Sequence, residues 1–149
     1  MGGAYSQAVT DVLRSPNLTF AVLCERVLQE KDGVLSIMRI ADRVTVTEPA
    51  GIDPGLVTVP LQMALGFRPS DPVEGELQLR VHDPSGGQTE PLKMGLLVRG
   101  AGEGTNVIIP LTLNRPQTGV YWIEVVFAKQ LLARVPLRVS VGAVPPNPG

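Results

Sequence analysis

The residues best suited to covalent chemistry are the single cysteine, Cys24, and the single histidine, His82. A cysteine nucleophile needs a base to activate it, and His82 is the one candidate. Cys24 lies in an apolar strand pattern, where cysteine behaves as a small hydrophobe. We therefore predict a buried structural thiol. A structural zinc site is excluded, because one cysteine and one histidine cannot supply four ligands.

His82, Asp83 and Ser85 contain the chemical types of a serine triad. They are nearly contiguous, however, and a triad needs side chains that converge from separate segments. We predict instead a strand end that enters an Asp-Pro turn. Convergence of His82 with acids from another loop would favour an enzyme.

The segment Gly100-Ala101-Gly102-Glu103-Gly104 is superficially similar to a phosphate-binding loop. Such a loop must be followed by a helix N-terminus, whereas the next segment is the strand-like Val107-Ile108-Ile109-Pro110. We predict a flexible hairpin loop here, and no cofactor.

Acidic side chains punctuate the turns at Asp53, Asp71 and Asp83, with Glu74 and Glu90 nearby. If they gathered at one end of a sandwich they could bind calcium. They lack the alternating carboxylate spacing of a dedicated site, so the first interpretation is ordinary Asp-initiated turns. A calcium or small-ligand module remains the alternative.

Four arginines, Arg26, Arg39, Arg43 and Arg80, could form a basic sheet face. Paired surface charges are the preferred interpretation, because acidic and amide residues share the pattern. The formal net charge of −1 argues against a nucleic-acid partner. Five of the six aromatic residues fall inside strands and are predicted to be core, which leaves no stacking platform; they are Phe20, Phe67, Tyr121, Trp122 and Phe127.

These residues must be positioned by strands, since period-two alternation and turn residues recur along the chain. No segment after residue 17 shows helical periodicity. The pattern predicts an all-β, antiparallel two-sheet β-sandwich of seven to eight strands, near 18–29, 34–47, 56–67, 75–82, 91–98, 104–113, 119–127 and 131–141.

The first hairpin shows how the register can be predicted. A three-residue loop, Lys31-Asp32-Gly33, places Glu25 opposite Arg39. A two-residue Asp32-Gly33 turn would instead place Arg26 opposite Arg39, which is unfavourable. The same register gathers an apolar face that we predict to be core: Phe20, Val22, Cys24, Met38, Ile40 and Val44.

In the last two predicted strands the alternating apolar residues all have odd numbers. They can lie on one face only if the loop between the strands contains an odd number of residues, which predicts the loop Ala128-Lys129-Gln130. Pro136 cannot donate a ladder hydrogen bond, so its strand is expected to be an edge or bulged there.

Three segments are expected: an N-terminal arm or short helix over 1–17, a sandwich over 18–142, and a Pro-rich tail over 143–149. The N-terminus lacks the pattern of a secretory signal, and no apolar run is long enough to span a membrane. With one cysteine and no possible intramolecular disulfide, a cytoplasmic location is expected.

Gly119-Val120-Tyr121 resembles the entry to the penultimate strand of immunoglobulin-like sandwiches, where the tyrosine bonds upstream backbone, here around Arg115 to Gln117. The chain from Phe20 to Val141 also resembles an uncharacterised bacterial domain-of-unknown-function family. The resemblance rests on Phe20–Glu25, Gly33-x-Leu35-Ser36, Ile40–Arg43, Leu79–Pro84 with Gly86, Gly119-x-Tyr121 and Val135–Val139. It implies a bacterial β-sandwich, with no known activity or catalytic residues to carry over.

Composition separates the remaining functional classes. Charged residues make up 18% and hydrophobic residues 44% of the chain, and the mean hydropathy is positive. Part of the apolar surface is therefore expected to face a partner, either another copy or another protein. We predict a non-catalytic structural or interaction module without catalytic, cofactor-binding or metal residues. A well-packed monomer with a neutral polar surface is the competing interpretation.

Overall fold

The computed structural model describes residues 15–48, 51, 53–100 and 103–143. The expected N-terminal arm, apart from residues 15–17, and the tail beyond residue 143 lie outside this description. Nine strands and one short 3-10 turn, Pro54–Leu56, are present in the described part. The strands are β1 Leu18–Gln29, β2 Leu35–Ile40, β3 Arg43–Glu48, β4 Thr58–Phe67, β5 Val73–His82, β6 Leu92–Val98, β7 Thr105–Asn114, β8 Gly119–Phe127 and β9 Gln130–Ala143.

The strands form two sheets, which confirms the predicted all-β sandwich. One sheet has the order β2-β1-β4-β7, and the other has the order β3-β9-β8-β5-β6. In the standard lettering of immunoglobulin-like sandwiches, strands B and E are neighbours in one sheet, and strands C, F and G are neighbours in the other. Here β4 and β7 occupy the positions of B and E, and β5, β8 and β9 occupy those of C, F and G. All pairs are antiparallel except β3 with β9, which run parallel.

The predicted strand over 34–47 is in fact two strands in different sheets. The Ala41 amide still donates to Leu23 O at 2.7 Å, in the first sheet, while Asp42 O accepts from the Arg138 amide at 3.0 Å, in the second. Arg39, just before this switch, has a positive φ of 56°. The chain thus crosses between sheets within two residues, which explains nine strands rather than seven to eight.

Alternating side chains of both sheets fill a single core. The core-facing positions are odd-numbered in β4, β5, β7 and β8, as period-two geometry requires. Ala64 in β4 and Val126 in β8 are buried as well, although their numbers are even. Phe67, Tyr121 and Phe127 are buried, as predicted. The core cluster also includes Leu23, Val46, Leu61, Met63, Leu65, Leu77, Leu79, Val98, Ile109, Leu111, Leu113, Ile123, Val125, Leu137 and Val139.

The first hairpin has the predicted loop and register but the opposite core face. Gly33 has φ +85°, and the β1–β2 register sets Cys24 opposite Ile40, so Glu25 opposes Arg39. Leu23 points into the core, whereas Met38 and Ile40 are exposed. The predicted core face is therefore wrong for the hairpin, whose apolar face is the outward one, although Val44, beyond the switch in β3, does pack against the core.

The last hairpin has a shorter loop than predicted. Phe127 pairs with Gln130, and the two turn residues Ala128 and Lys129 both have positive φ, 47° and 68°. A β-bulge between Val125 and Val126 instead shifts the register, so that the apolar residues of the two strands still lie on the same face. At Pro136, β9 has β8 on one side only, since β3 pairing starts at Arg138. The edge expected at Pro136 is therefore present.

Candidate functional site

The segment His82–Ser85 is a strand end entering a turn, as predicted. One carboxylate oxygen of Asp83 accepts hydrogen bonds from the Ser85 amide at 2.8 Å, the Ser85 hydroxyl at 2.5 Å and the Gly87 amide at 2.9 Å. The Ser85 hydroxyl, followed by the backbone donors, lowers the pKa of the Asp83 carboxyl below its ordinary value. Asp83 and Ser85 therefore serve the turn and leave His82 to another partner.

That partner is Glu124, which the sequence did not reveal. His82 Nε2 lies 2.5 Å from Glu124 Oε1, and the two residues come from the neighbouring strands β5 and β8. An acid from a separate segment thus reaches the histidine. No hydroxyl or thiol in the described ranges is hydrogen-bonded to either residue, so the pair lacks the nucleophile that a hydrolytic triad requires.

The outward face of the five-stranded sheet surrounds this pair with further polar contacts. Trp122 lies on this face, with the guanidinium carbon of Arg134 4.1 Å from its ring centroid, so its prediction as core is wrong. Gln78 donates to Glu76 and accepts from Arg80. Because these groups already bond one another, the face is a satisfied surface network with the aromatic ring covered by a cation.

The four arginines considered for a basic face are divided between the sheets. Arg26 and Arg39 belong to the four-stranded sheet, whereas Arg43 and Arg80 belong to the five-stranded one. Arg39 pairs with Glu25 at 3.1 Å and Arg43 approaches Asp42 at 4.0 Å. Paired surface charges are the observed arrangement for these two.

The acidic turns do not meet at one end of the sandwich. The loop with Asp53 precedes β4 and Asp83 follows β5, whereas Asp71 joins β4 to β5 at the opposite end. Among the described residues no three metal-ligating side chains lie together. The convergence that the calcium alternative requires is therefore missing there.

The segment from Gly100 to Gly104 is not a hairpin loop. It joins β6 in one sheet to β7 in the other, so it is a crossover between the two layers. Gly100 is buried, and an added Cβ would lie 2.6 Å from the Asp71 carbonyl carbon. The predicted flexible hairpin is wrong because the strands on either side of this segment do not pair with each other.

Cys24 is fully buried, although it lies on the outward side of the four-stranded sheet. Its thiol donates to Gln62 O at 3.4 Å. Burial raises the pKa of the Cys24 thiol, and the backbone hydrogen bond from Arg26 opposes that shift. Raised pKa and burial both disfavour the reactive thiolate at neutral pH.

We expect Cys24 in the folded protein to react with a disulfide reagent such as Ellman's reagent far more slowly than in denaturant. The reason is that the thiol must be exposed by local opening before it can react. A Leu56→Cys variant supplies the control, since Leu56 is 72% exposed and lies outside the hairpin, so it should give a second, rapidly reacting thiol. Labelling of Cys24 as fast as position 56 would contradict the structural role.

Apolar exposure is concentrated on the β1–β2 hairpin. We define the hairpin patch as Leu28, Val34, Met38 and Ile40, which are half of the eight large hydrophobic residues exposed in the described chain. Ile40 is 68% exposed and Val34 is 58% exposed. Beyond Cys24, β1 leaves β4, and the Gln62 side chain caps the Val27 amide at 2.6 Å. The distal hairpin is therefore two-stranded, with an apolar surface, and its tip lines a groove shared with Phe20 and Arg68.

The strand edges differ in how they are protected. Pro110 interrupts the ladder on β7, and Lys93 lies on β6, two devices that commonly protect exposed edges. The other two outer strands, β2 and β3, have neither proline nor lysine, and each carries an arginine. The free backbone groups of β2 lie beside Met38 and Ile40, so this edge can accept another strand.

A groove of about 510 Å³ lies beside this hairpin. The hairpin tip, Asp32–Val34, lines it together with Leu35, Ile37, Phe20, Val22 and Arg68. Phe20 also lies across Gly66, where a Cβ added to Gly66 would collide with the ring, so the prediction that Phe20 belongs to the core is also wrong. Val34 of the hairpin patch thus lines the groove, whereas Met38 and Ile40 do not.

The profile of a family of unknown function, DUF6941, matches residues 19–140. The chain belongs to DUF6941. The resemblance noted from the sequence is thus confirmed at the level of a family with unknown function. No curated protein matches the chain.

Solved structures similar to this DUF6941 chain come from several functional classes. A β-glucosidase from Listeria innocua in complex with glucose has a TM-score of 0.43 and 13% identity, covering 70% of this chain and 15% of its own. The CARDB domain of the PF1109 protein from Pyrococcus furiosus, in complex with di-metal ions, has a TM-score of 0.44 and 11% identity, covering 86% of this chain and 98% of its own.

The alkylpurine DNA glycosylase AlkC from Pseudomonas fluorescens, bound to DNA containing an abasic site analogue, has a TM-score of 0.41 and 11% identity, covering 66% of this chain and 27% of its own. This DUF6941 chain therefore spans only a small part of the β-glucosidase and glycosylase chains. Within the described residues, no helix has the length and apolar character needed to cross a membrane.

Proposed function

We propose that this DUF6941 chain is a non-catalytic protein-interaction module that acts through the hairpin patch. The observation that carries the proposal is the coincidence of exposed Met38 and Ile40 with the outer edge of β2, which lacks proline and lysine. An exposed strand edge with an apolar flank favours pairing with another chain.

Charge and composition support a second copy of the chain as the partner. The net charge is close to zero, so long-range repulsion between copies is weak. The low charged fraction leaves apolar surface to be covered. We further propose that the module works in the cytoplasm of a bacterial cell, where a single buried thiol such as Cys24 stays reduced.

We also propose that the His82–Glu124 pair has a structural role. The pair sits on the five-stranded sheet, and Arg134 covers the neighbouring Trp122 ring. A short hydrogen bond between two half-buried groups joins β5 to β8 and stabilises the sheet. We propose no reaction, cofactor or metal for it.

Replacing Ile40 with glutamate is expected to weaken self-association measured by light scattering over a concentration series around tens of micromolar. A carboxylate placed in an apolar contact loses solvation without gaining a partner. The dissociation constant should rise roughly 30-fold, equivalent to about 2 kcal/mol, the loss typical of a central contact residue.

Leu56→Glu is the matched control, since Leu56 is 72% exposed but lies on the 3-10 turn away from the hairpin. It should leave the mass unchanged. A monomeric mass for the unaltered protein would refute self-association, and equal effects of the two variants would refute the hairpin patch as its site.

A further inference from the structure

The geometry points to an occupant for the groove beside the β1–β2 hairpin: we infer that residues 1–14, the leading segment, dock into it. These residues precede the described part of the chain. Met38 and Ile40 do not line the groove, so docking leaves the proposed self-association contact free and stands independently of it.

The groove exists because the distal hairpin bends over the outward side of the four-stranded sheet. In a flat β1, Phe20 and Gln29 would lie about 30 Å apart, since each step along the strand rises about 3.3 Å. Yet Phe20 and the hairpin tip, residues 32–34, line the same groove. One hydrogen bond holds the bend: the Val27 amide donates at 2.6 Å to the side chain of Gln62, which lies at an even-numbered, outward position of β4.

The walls of the groove are apolar and only partly covered. Four half-buried side chains form them, two on the sheet and two on the hairpin: Phe20, Val22, Leu35 and Ile37. Filling the space between them with apolar groups is favoured by the hydrophobic effect. At the polar end, the Arg68 guanidinium already donates to Phe67 O at 2.8 Å and to the Asn106 side chain at 3.3 Å. The groove therefore suits an apolar occupant rather than an anion.

The chain enters the domain beside this groove. The Asn17 side-chain amide donates to Arg68 O at 2.9 Å, and the Arg68 amide donates to Asn17 O at 3.0 Å. Pro16 is completely buried, so the backbone is packed against the domain already at that residue. The leading segment is thus tethered next to a groove-lining residue, at an effective concentration on the order of millimolar, which favours it over a free partner.

The leading segment carries an apolar face that matches these walls. At about 100° per residue of an α-helix, four apolar residues fall within roughly 100° of one another: Tyr5, Val9, Val12 and Leu13. Gln7 and Thr10 fall outside this face. A helix over residues 5–13 would be about 13 Å long and about 10 Å wide, which gives roughly 1,000 Å³. The groove, at about 510 Å³, can therefore receive the apolar face and leave the polar face in water.

Thiol labelling of a cysteine placed in the groove tests the docking. In the full chain with Ile37→Cys, adding Val9→Asp and Val12→Asp should speed the reaction with Ellman's reagent roughly tenfold or more, because charged groups cannot enter the apolar groove and the thiol is uncovered. Gln7→Asp with Thr10→Asp is the matched control. It adds the same charge outside the apolar face, so it should leave the rate unchanged.

Two further cysteines guard against indirect effects. Leu97→Cys, at an exposed position of β6 in the other sheet, should react at one rate whichever aspartates are present. Val22→Cys, on the sheet wall of the groove, replaces Ile37→Cys as the reporter if circular dichroism shows that the latter disturbs the fold. The slow reaction of buried Cys24 is measured in the unaltered chain and subtracted.

Protein concentration identifies the occupant. Slow labelling at position 37 that stays constant between about 1 and 100 μM supports the chain's own leading segment, whereas protection that appears only at high concentration means another copy and overturns the inference. Equal rates with the two pairs of aspartates also overturn it, whatever else covers the groove. A monomeric mass in light scattering overturns the proposed self-association alone, so the two failures are distinguishable.

Discussion

Replacing Tyr121 with alanine is expected to lower the free energy of unfolding by about 3–5 kcal/mol, the cost of deleting a buried aromatic ring. Tyr121 is only 4% exposed and opens β8 on the core side, in line with Ile123 and Val125. Nothing nearby can refill a ring-sized space without moving a sheet, so the cavity should persist.

The phenol adds a smaller, separable contribution. The Gln117 amide donates to the Tyr121 hydroxyl at 2.9 Å, which is the predicted corner with upstream backbone. Tyr121→Phe should cost about 0.5–1.5 kcal/mol, the net value of one hydrogen bond. The lower end is expected, since Gln117 is exposed and water can replace the lost acceptor.

Trp122→Ala is the matched control for Tyr121→Ala in urea unfolding followed by circular dichroism. Trp122 is larger but lies on the opposite, outward face, where it packs under Arg134. Its removal should therefore cost clearly less than removal of Tyr121. If the two losses were equal, or the tryptophan loss greater, Tyr121 would not be the core anchor that its burial indicates.

The strand boundaries were largely predictable, because turn residues and period-two alternation are local signals. All predicted strands but one agree with the structure within two residues at each end. The exception, 34–47, contains the switch between sheets at Ala41 and Asp42. The one local sign is Asp42, a charged residue at an otherwise apolar position of the alternation, which predicts a rim position, a bulge or a partner there. The pattern does not show that the partner strand changes.

Which face is buried was harder to predict where both faces are apolar. In β1, Phe20 and Val22 alternate with Ala21 and Leu23, so the pattern fits either orientation. The structure buries Leu23 and half-buries Leu35 and Ile37, whereas Met38 and Ile40 of β2 are exposed. Hydrophobicity alone could not show this, since an outward apolar face is what an interaction surface looks like.

The His82–Glu124 contact could not be predicted because it depends on strand order. β5 and β8 are 36 residues apart at their facing ends, yet they are neighbours in the sheet. His82 and Glu124 each occupy an outward position, as the alternation in their own strands predicts. Their meeting follows only from the crossover of β6 and β7 between the layers.

That crossover depends on a close backbone approach at Gly100. A Cβ added there would lie 2.6 Å from the carbonyl carbon of Asp71 and 2.7 Å from the carbonyl oxygen of Ser70. Both obstacles are main chain in the β4–β5 connection, so no side-chain rotation can relieve them. The two connections that change sheets at this end of the sandwich are thus packed directly against each other.

Gly100→Ala is therefore expected to destabilise the protein by about 2–3 kcal/mol, near the upper part of the usual range for overpacking. Gly95→Ala is the control, because a Cβ at Gly95 meets nothing within 4 Å and should change stability by less than about 0.5 kcal/mol. Urea unfolding of both variants measures the difference. A stability for Gly100→Ala equal to that of Gly95→Ala would show that the two connections separate freely. It would then follow that the sheet crossover is held by strand pairing alone, and not by contact between the two connections.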